Sequence, residues 1–309
     1  MWAIETRNLR KVFRPLLGSN PIVAVDSLNL QVPTGTIFGF LGPNGAGKTT
    51  TIQILIGNVY PTAGEAFVLG HRAGALAAKR KLGFLPEKFQ FHDFLTAEEF
   101  LRMHGRLAKM DGATLQRRID EVLELVGLAE RRTSKIREFS KGMQQRIGLA
   151  QAILHDPDLV ILDEPTSALD PLGRRRVREV VQYLKEQGKT VFLNSHLLSE
   201  VERSCDQVAI INKGRVVVQG VLDELLENRS VVRVELKRVE PRVLEAAAKV
   251  AQKVHSIDDR CFTAEVASED DIPLLARAIL ESGGALLGLQ PHRETLEDLF
   301  IQTVESEGK

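Results

Sequence analysis

The residues of this chain that most clearly could do chemistry form a glycine-rich loop at positions 42–49, Gly-Pro-Asn-Gly-Ala-Gly-Lys-Thr. The loop fits the pattern G-x-x-x-x-G-K-[ST] at every fixed position. An apolar run at 37–41 precedes it and a helical pattern follows it, which is the strand–loop–helix context that the pattern requires. Glycines let backbone N–H groups wrap around phosphate oxygens, and the helix N-terminus adds partial positive charge. The loop therefore predicts a phosphate-binding site rather than an ordinary glycine-rich turn.

Two side chains of this loop have specific expected roles in binding ATP and magnesium. Lys48 is expected to reach the β- and γ-phosphates, and the hydroxyl of Thr49 is expected to ligate Mg²⁺. The residues predicted to bind the nucleotide here are Gly42, Pro43, Asn44, Gly45, Ala46, Gly47, Lys48, Thr49 and Thr50.

An acidic pair, Asp163 and Glu164, follows the continuous apolar run at 159–162, which is typical of a buried parallel strand. Ligands of open α/β sheets bind at the carboxyl ends of the strands. Asp163 is placed to hold Mg²⁺ through water, and Glu164 to orient or deprotonate the attacking water. Alone, the pair could equally be an acidic turn; behind a phosphate loop it indicates hydrolysis.

A second anion-binding pattern, Ser-Lys-Gly-Met-Gln at 140–144, opens a helix. Ser140 is a good N-cap, and capping could be its whole role. The free amides, the glycine, the hydroxyl and the helix dipole also make an anion site. Because the chain already has one phosphate loop, we expect this site to serve an ATP molecule bound to a second subunit.

Composition limits the class of protein. The 309 residues suffice for two domains. Lysine plus arginine equals aspartate plus glutamate, and this balance disfavours nucleic acid as the main partner. The two cysteines, Cys205 and Cys261, match no zinc or redox spacing. No apolar run approaches the roughly 20 residues of a membrane-spanning helix, so we expect the chain to be soluble by itself.

The elements that must position these residues alternate as strands and helices, which predicts an α/β fold with a parallel sheet. Two antiparallel-type strands come first, and an all-helical segment at about 91–155 interrupts the alternation. We expect the α/β domain to occupy 1–225. Residues 226–309 follow the order βαββαβ, which predicts a small α+β domain of the ferredoxin-like type.

Taken together, these motifs resemble the nucleotide-binding subunit of an ATP-binding cassette (ABC) transporter over about residues 3–220. In the family's signature sequence, Lys141 and Met143 stand where glycine and glutamine are usual. A loop at 167–170, ending in Asp170, matches the segment after the acidic strand end. His196 matches the family's switch histidine.

The resemblance implies a mechanism in which two cassettes close head to tail over two ATP molecules. Ser140, Gly142 and Gln144 of one copy would complete the site of the other, and Asp170 would cross the interface. His196 would contact the γ-phosphate, with Glu164 as the catalytic base. Phe13 would stack on the base where tyrosine is more usual, although its position alone favours a core role.

One departure concerns the metal. The family places a glutamine after the strand at 82–85, and this chain has Glu87. The expected magnesium ligands are therefore Thr49, Asp163 and, as a carboxylate in place of the glutamine, Glu87. With this departure, the chain resembles the subfamily that exports drugs, antibiotics, sodium or polysaccharides.

The resemblance implies an ATPase that powers transport, with ATP and Mg²⁺ as cofactors and a separately encoded membrane permease as partner. The second cassette would be another copy of this chain or a paralogue. The protein would be located at the cytoplasmic face of the membrane. Aromatic residues at 89–100 would face the permease or form the core of the helical segment. The alternatives are a non-transport cassette acting on ribosomes or DNA, and a kinase or GTPase. The last lacks a use for Ser140 and His196.

Overall fold

The computed structural model of the protein describes residues 1–14, 20–167, 169–226, 230–293 and 295–306. Contacts between Cα atoms divide the chain into two compact units, residues 1–220 together with the segment from Thr303, and residues 221–302. In chain order the first unit contains β1 (Trp2–Phe13), β2 (Ile22–Pro33), β3 (Ile37–Leu41), α1 (Lys48–Leu55), β4 (Ala63–Val68), β5 (His71–Arg72), α2 (Leu76–Lys79), β6 (Leu82–Leu85), α3 (Ala97–Leu107), α4 (Gly112–Leu125), α5 (Lys141–Ile153), β7 (Leu159–Asp163), α6 (Pro171–Glu186), β8 (Thr190–Asn194), α7 (Leu198–Ser204), β9 (Gln207–Asn212) and β10 (Arg215–Val221).

The first unit is built on two sheets, as the sequence predicts. An antiparallel sheet has the order β2-β1-β4-β5, and the larger sheet has the order β10-β9-β3-β8-β7-β6 within the described residues. In the larger sheet, β3 pairs in parallel with β8 and β9, and β7 with β6 and β8. Every residue of β3, β7 and β8 is buried, and side chains such as Phe38 and Ile161 share one hydrophobic core with residues of the antiparallel sheet and of α1.

The long strands of the antiparallel sheet are irregular. Asn8 and Ser27 have positive φ angles of 47° and 55°, and the register between β1 and β2 shifts beside them. These bulges explain why the apolar alternation of β2 slips near Ser27. β1 extends to Phe13, beyond the segment 3–9 that the sequence predicts as a strand, because its pairing with β2 continues to Ile22.

The helical segment packs through three helices whose starts the sequence shows clearly. Thr96 caps α3 in a capping box with Glu99, and Asp111 caps α4. Ser140 caps α5 by accepting a hydrogen bond from the N–H of Met143 at 3.2 Å. The predicted capping role of Ser140 is thus confirmed, and it fixes where the N-terminus of α5 lies.

The second unit contains α8 (Leu222–Leu226), β11 (Ser230–Leu236), α9 (Pro241–Ala247), β12 (Lys253–Ser256), β13 (Cys261–Val266), α10 (Ile272–Glu281), β14 (Leu286–Arg293) and α11 (Leu296–Ser306), the last of which reaches into the segment from Thr303. From β11 to β14 the order is βαββαβ. The strands form an antiparallel sheet of order β12-β13-β11-β14, which confirms the predicted ferredoxin-like arrangement.

Candidate nucleotide site

The glycine-rich loop runs from the buried end of β3 into the first turn of α1. Gly45 and Gly47 have φ angles of 82° and 103°, which side chains rarely tolerate, so the tight turn depends on glycine. Lys48 folds back over the loop, where its ammonium donates hydrogen bonds to the carbonyls of Gly42 at 2.6 Å and Pro43 at 3.1 Å. The side chain of Lys48 is therefore held against the backbone of its own loop.

The electrostatics of Lys48 show which charges lie around it. Burial lowers the pKa of its ammonium, and the carboxylates of Glu164 and Asp163 act in the opposite direction. The structure thus brings the lysine of the loop and the acidic end of β7 together, as the sequence predicts. A bound triphosphate would favour the charged form of Lys48 further, because an anion near an ammonium raises its pKa.

Asp163 ends β7 and is only 4% exposed. Its carboxylate Oδ1 accepts a hydrogen bond of 2.5 Å from the side-chain Nδ2 of Asn194, which lies opposite it in the pairing of β7 with β8. Burial raises the pKa of Asp163, the hydrogen bond from Asn194 lowers it, and the charge of Glu87 raises it again. Glu87 therefore lies close enough to Asp163 to influence its ionisation.

Glu164 and His196 are in direct contact. The imidazole Nδ1 of His196 lies 2.6 Å from Oε2 of Glu164, which itself sits at a positive φ of 53°. The Glu164 side chain is 12% exposed and that of His196 is 61% exposed. Burial raises the pKa of Glu164, and the neighbouring His196 lowers it. A buried carboxylate with a raised pKa suits a general base, and an exposed imidazole suits contact with a ligand.

The residues predicted to hold the metal all offer oxygen atoms: the hydroxyl of Thr49 and the carboxylates of Asp163 and Glu87. Oxygen ligands are those that Mg²⁺ prefers, and one or two carboxylates suffice when substrate phosphates and water complete the shell. In the described part of the chain, no three His, Cys, Asp or Glu side chains cluster to form a metal site of their own. The donor set fits a magnesium ion that arrives with a nucleotide.

The signature residues lie around a different cavity. Its volume is about 820 Å³, and its lining includes Ser140, Gly142, Leu169 and Asp170. None of the residues that line it belongs to the glycine-rich loop, to the acidic end of β7 or to the turn of His196. Asp170 also caps α6 by accepting a hydrogen bond from the N–H of Gly173 at 2.8 Å. Ala168 of the same loop lies outside the described residues.

Some expected site residues are placed differently. Phe13 ends β1 and is 42% exposed, with the ammonium of Lys11 5.0 Å from its ring centre. The interpretation of Phe13 as a core residue is therefore wrong, because the strand runs past the body of the sheet at this point. The Gln144 main-chain N–H donates to the Ser140 carbonyl within α5, and Gln144 does not line the signature cavity.

The aromatic residues of the helical segment divide between the two expected roles. The rings of Phe89, Phe91 and Phe100 pack together with centres 4.4–6.1 Å apart, and Phe100 is fully buried. Phe94 instead is 62% exposed. Most of the cluster is therefore core, and Phe94 is the member that faces outward.

Two features of the site were not predicted from the sequence. Asn194 contacts Asp163, although its position as a polar residue at the end of an apolar strand was a usable signal. The signature cavity is also lined by three arginines, Arg146, Arg175 and Arg176, which give it basic character. A run of arginines on a helix usually indicates only a solvated face, so this clustering needed the structure.

Comparisons with known proteins agree with this geometry. A family model described as ABC transporter matches residues 25–167. An uncharacterized ABC transporter ATP-binding protein, all4389, of Nostoc sp. is 39% identical over 98% of this chain and 90% of its own length. The chain belongs to the family of ABC transporter ATP-binding proteins. The family membership predicted from the motifs is thereby confirmed.

Other members of the family match along nearly their whole length. The bacitracin transport ATP-binding protein BcrA of Bacillus licheniformis is 35% identical, covering 97% of both chains. The Nod factor export ATP-binding protein I of Cupriavidus metallidurans is 33% identical over 97% of this chain and 96% of its own. The post-hydrolysis dimer of the ATP-binding cassette MJ0796, bound to ADP and Pi, superposes with a TM-score of 0.65 at 26% identity, covering 71% and 98% of the two chains.

Proposed function

We propose that this ABC ATPase binds Mg·ATP at the glycine-rich loop and hydrolyses it with Glu164 as the general base. The observation that carries the proposal is the convergence of Lys48, Asp163, Glu164 and His196 at the carboxyl edge of the parallel sheet. Lys48 would exchange its two loop carbonyls for phosphate oxygens. The loop amides from Gly42 to Thr50 would surround the β- and γ-phosphates.

Magnesium would be held by the hydroxyl of Thr49 and by Asp163, with Glu87 as a further carboxylate near it. The metal supplies charge neutralisation for the phosphates when bound. Glu164 is then the residue left to take a proton from the attacking water, since Asp163 faces the metal. Its contact with His196 supports a role for the imidazole in fixing the base and meeting the γ-phosphate.

A second cassette would complete the site. The cavity of Ser140, Gly142 and Asp170 has anion-binding features but shares no lining residue with the phosphate loop. A head-to-tail dimer resolves this separation, because each signature cavity would then close over the other copy's ATP. That the MJ0796 cassette is a dimer bound to ADP and Pi supports the dimeric state. Gln144 and Phe13 would act in the same closed dimer, Phe13 by stacking on the base from its exposed position.

Hydrolysis would power transport, and export is the direction that the relatives favour. The relatives include a bacitracin transport ATP-binding protein and a Nod factor export ATP-binding protein. Among the described residues, no helix has the length and apolar character needed to cross a membrane. A separate membrane permease would therefore carry the pathway, with the cassette at the cytoplasmic face of the membrane. Phe94, exposed in the helical segment, is the aromatic residue available to such a partner.

The second compact unit would be an accessory domain, with the functional division near residue 225. The residues assigned to the nucleotide site and those that line the signature cavity all belong to the first unit. A chain shortened before β11 should therefore still bind ATP. Loss of binding in a shortened protein that remains folded would contradict this assignment.

The experiment that tests nucleotide binding compares two lysine-to-alanine variants by calorimetric titration with Mg·ATP. Lys48→Ala should lose measurable binding, since it removes the charge that faces the phosphates. Lys249→Ala removes an equal charge from an exposed position in the second unit and should bind like the parent. Equal affinity of both variants would refute the site.

A membrane pull-down with a slow-hydrolysing variant should recover a permease. Recovery of ribosomes or DNA alone would favour a non-transport role.

A further inference from the structure

Asn194 holds both acidic residues of the site in place. It is the last residue of β8 and is 2% exposed. Its side-chain Nδ2 donates a 2.5 Å hydrogen bond to Oδ1 of Asp163, and its main-chain carbonyl accepts the N–H of Glu164 at 2.8 Å. A single residue thus fixes the carboxylate of Asp163 and the strained backbone of Glu164, which has a φ of 53°.

The other end of the same carboxamide is unpaired. Asn194 Oδ1 is buried and has no hydrogen-bond partner in the described part of the protein. Buried carbonyl oxygens are almost always paired, so an unpaired one needs an explanation. The described chain has one other such oxygen, Oε2 of Glu200, but that atom lies 3.3 Å from the guanidinium of Arg178.

The unpaired oxygen lies on a residue that already contacts a predicted metal ligand. Magnesium keeps several water molecules when it binds proteins, and those waters are hydrogen-bond donors. A carboxamide oxygen is an acceptor without charge, so it can receive such a donor without changing the charge of the site. The missing partner of Oδ1 is therefore of the kind that a hydrated magnesium ion brings.

We propose that Asn194 is a positioning residue of the magnesium site. Its Nδ2 orients Asp163 by occupying one carboxylate oxygen, and its Oδ1 accepts a hydrogen bond from a water molecule of the bound metal. The inference rests on the proposed function, in which Asp163 holds the metal through water. Partners of this outer kind typically change metal affinity by roughly 10- to 100-fold when they are removed.

The test measures how much a metal ion strengthens ATP binding, in the full chain carrying Glu164→Gln so that ATP is not consumed. The quantity is the ratio of the ATP dissociation constants in EDTA and in Mn²⁺, obtained with a fluorescent ATP analogue. Asn194→Ala and Asn194→Leu should lower this ratio by about tenfold or more. Affinity in EDTA should stay within about twofold, because Asn194 does not belong to the phosphate loop. Alanine leaves only a small cavity, so it preserves the fold if leucine does not.

Two further variants separate the possible outcomes. Thr190→Val is the matched control, because Thr190 is a buried polar residue on the same strand whose hydroxyl accepts the N–H of Gly35 at the opposite end. It should keep the parental ratio. Asp163→Asn should lose the metal effect if Asp163 holds the ion. If Asp163→Asn loses it while both Asn194 variants keep it, Asn194 is only a structural tie and the inference fails. If Asp163→Asn keeps it, the proposed metal role of Asp163 fails as well.

Discussion

Replacing Gly47 with alanine should damage the phosphate loop far more than the same change at Gly45. Both glycines have φ angles that L-residues avoid, 103° and 82°. A Cβ atom at Gly47 would lie 2.3 Å from the main-chain oxygen of Ala24 in β2, whereas a Cβ at Gly45 would meet nothing within 4 Å. The two substitutions therefore share the backbone strain and differ in the clash.

The expected losses of stability follow from the backbone strain and from the clash. Forcing a left-handed backbone costs about 1–2 kcal/mol per non-glycine residue. Displacing packed atoms to relieve a contact of this kind costs about 1–3 kcal/mol more. We expect Gly45→Ala to lower the free energy of unfolding by about 1–2 kcal/mol and Gly47→Ala by about 2–5 kcal/mol. A loss of 1 kcal/mol corresponds to a fall in melting temperature of about 2–4 °C for a domain of this size.

The assay is unfolding in urea without nucleotide, so that contacts with phosphate do not enter the comparison. Gly47→Ala should also lose ATP binding, because the loop must shift away from β2 at the start of α1. Equal losses of stability for the two variants would refute the reasoning, since they would show that backbone strain alone matters at these positions.

Two other predictions concern ionisable pairs. Burial raises the pKa of Glu164 and His196 lowers it. Because a general base must be ionised, kcat/KM should fall as the pH decreases, and the fall should begin at a higher pH than for an ordinary glutamate. His196→Ala should move this acidic limb of the pH profile to still higher pH. An unmoved limb would show that the imidazole does not stabilise the ionised base. Arg178 of α6 and Glu200 of α7 form a largely buried ion pair at 3.3 Å. Arg178→Met should lower the free energy of unfolding by about 3 kcal/mol, because it leaves a buried carboxylate unpaired. Adding Glu200→Met should restore part of that loss. Strictly additive losses in the urea midpoints would contradict coupling between these two helices.

Local features of the fold could be predicted because their causes lie close together in sequence. The glycine-rich loop, the acidic end of β7 and the cap at Ser140 each depend on a few consecutive residues. The ferredoxin-like order of the second unit follows from alternation and from a short hairpin. These features needed no knowledge of how distant segments pack.

The remaining features depend on pairing between distant segments. Asn194 meets Asp163 only because β7 and β8 pair in a particular register, 31 positions apart in the chain. Phe13 is exposed because β1 continues beyond its pairing with β4, which ends at Arg10, and pairs there only with β2. The arginines around the signature cavity come from two helices that are separate in sequence, Arg146 from α5 and Arg175 and Arg176 from α6. Periodicity within one segment carries none of this information.

We propose that two copies of this chain share their ATP molecules, and size-exclusion chromatography of Glu164→Gln tests this most directly. With Mg·ATP this variant should elute as a dimer, and without nucleotide as a monomer. Adding Ser140→Arg should keep it monomeric while calorimetry still detects ATP binding, because the loop of each copy remains intact. A Glu164→Gln protein that binds Mg·ATP and stays monomeric would contradict the shared site.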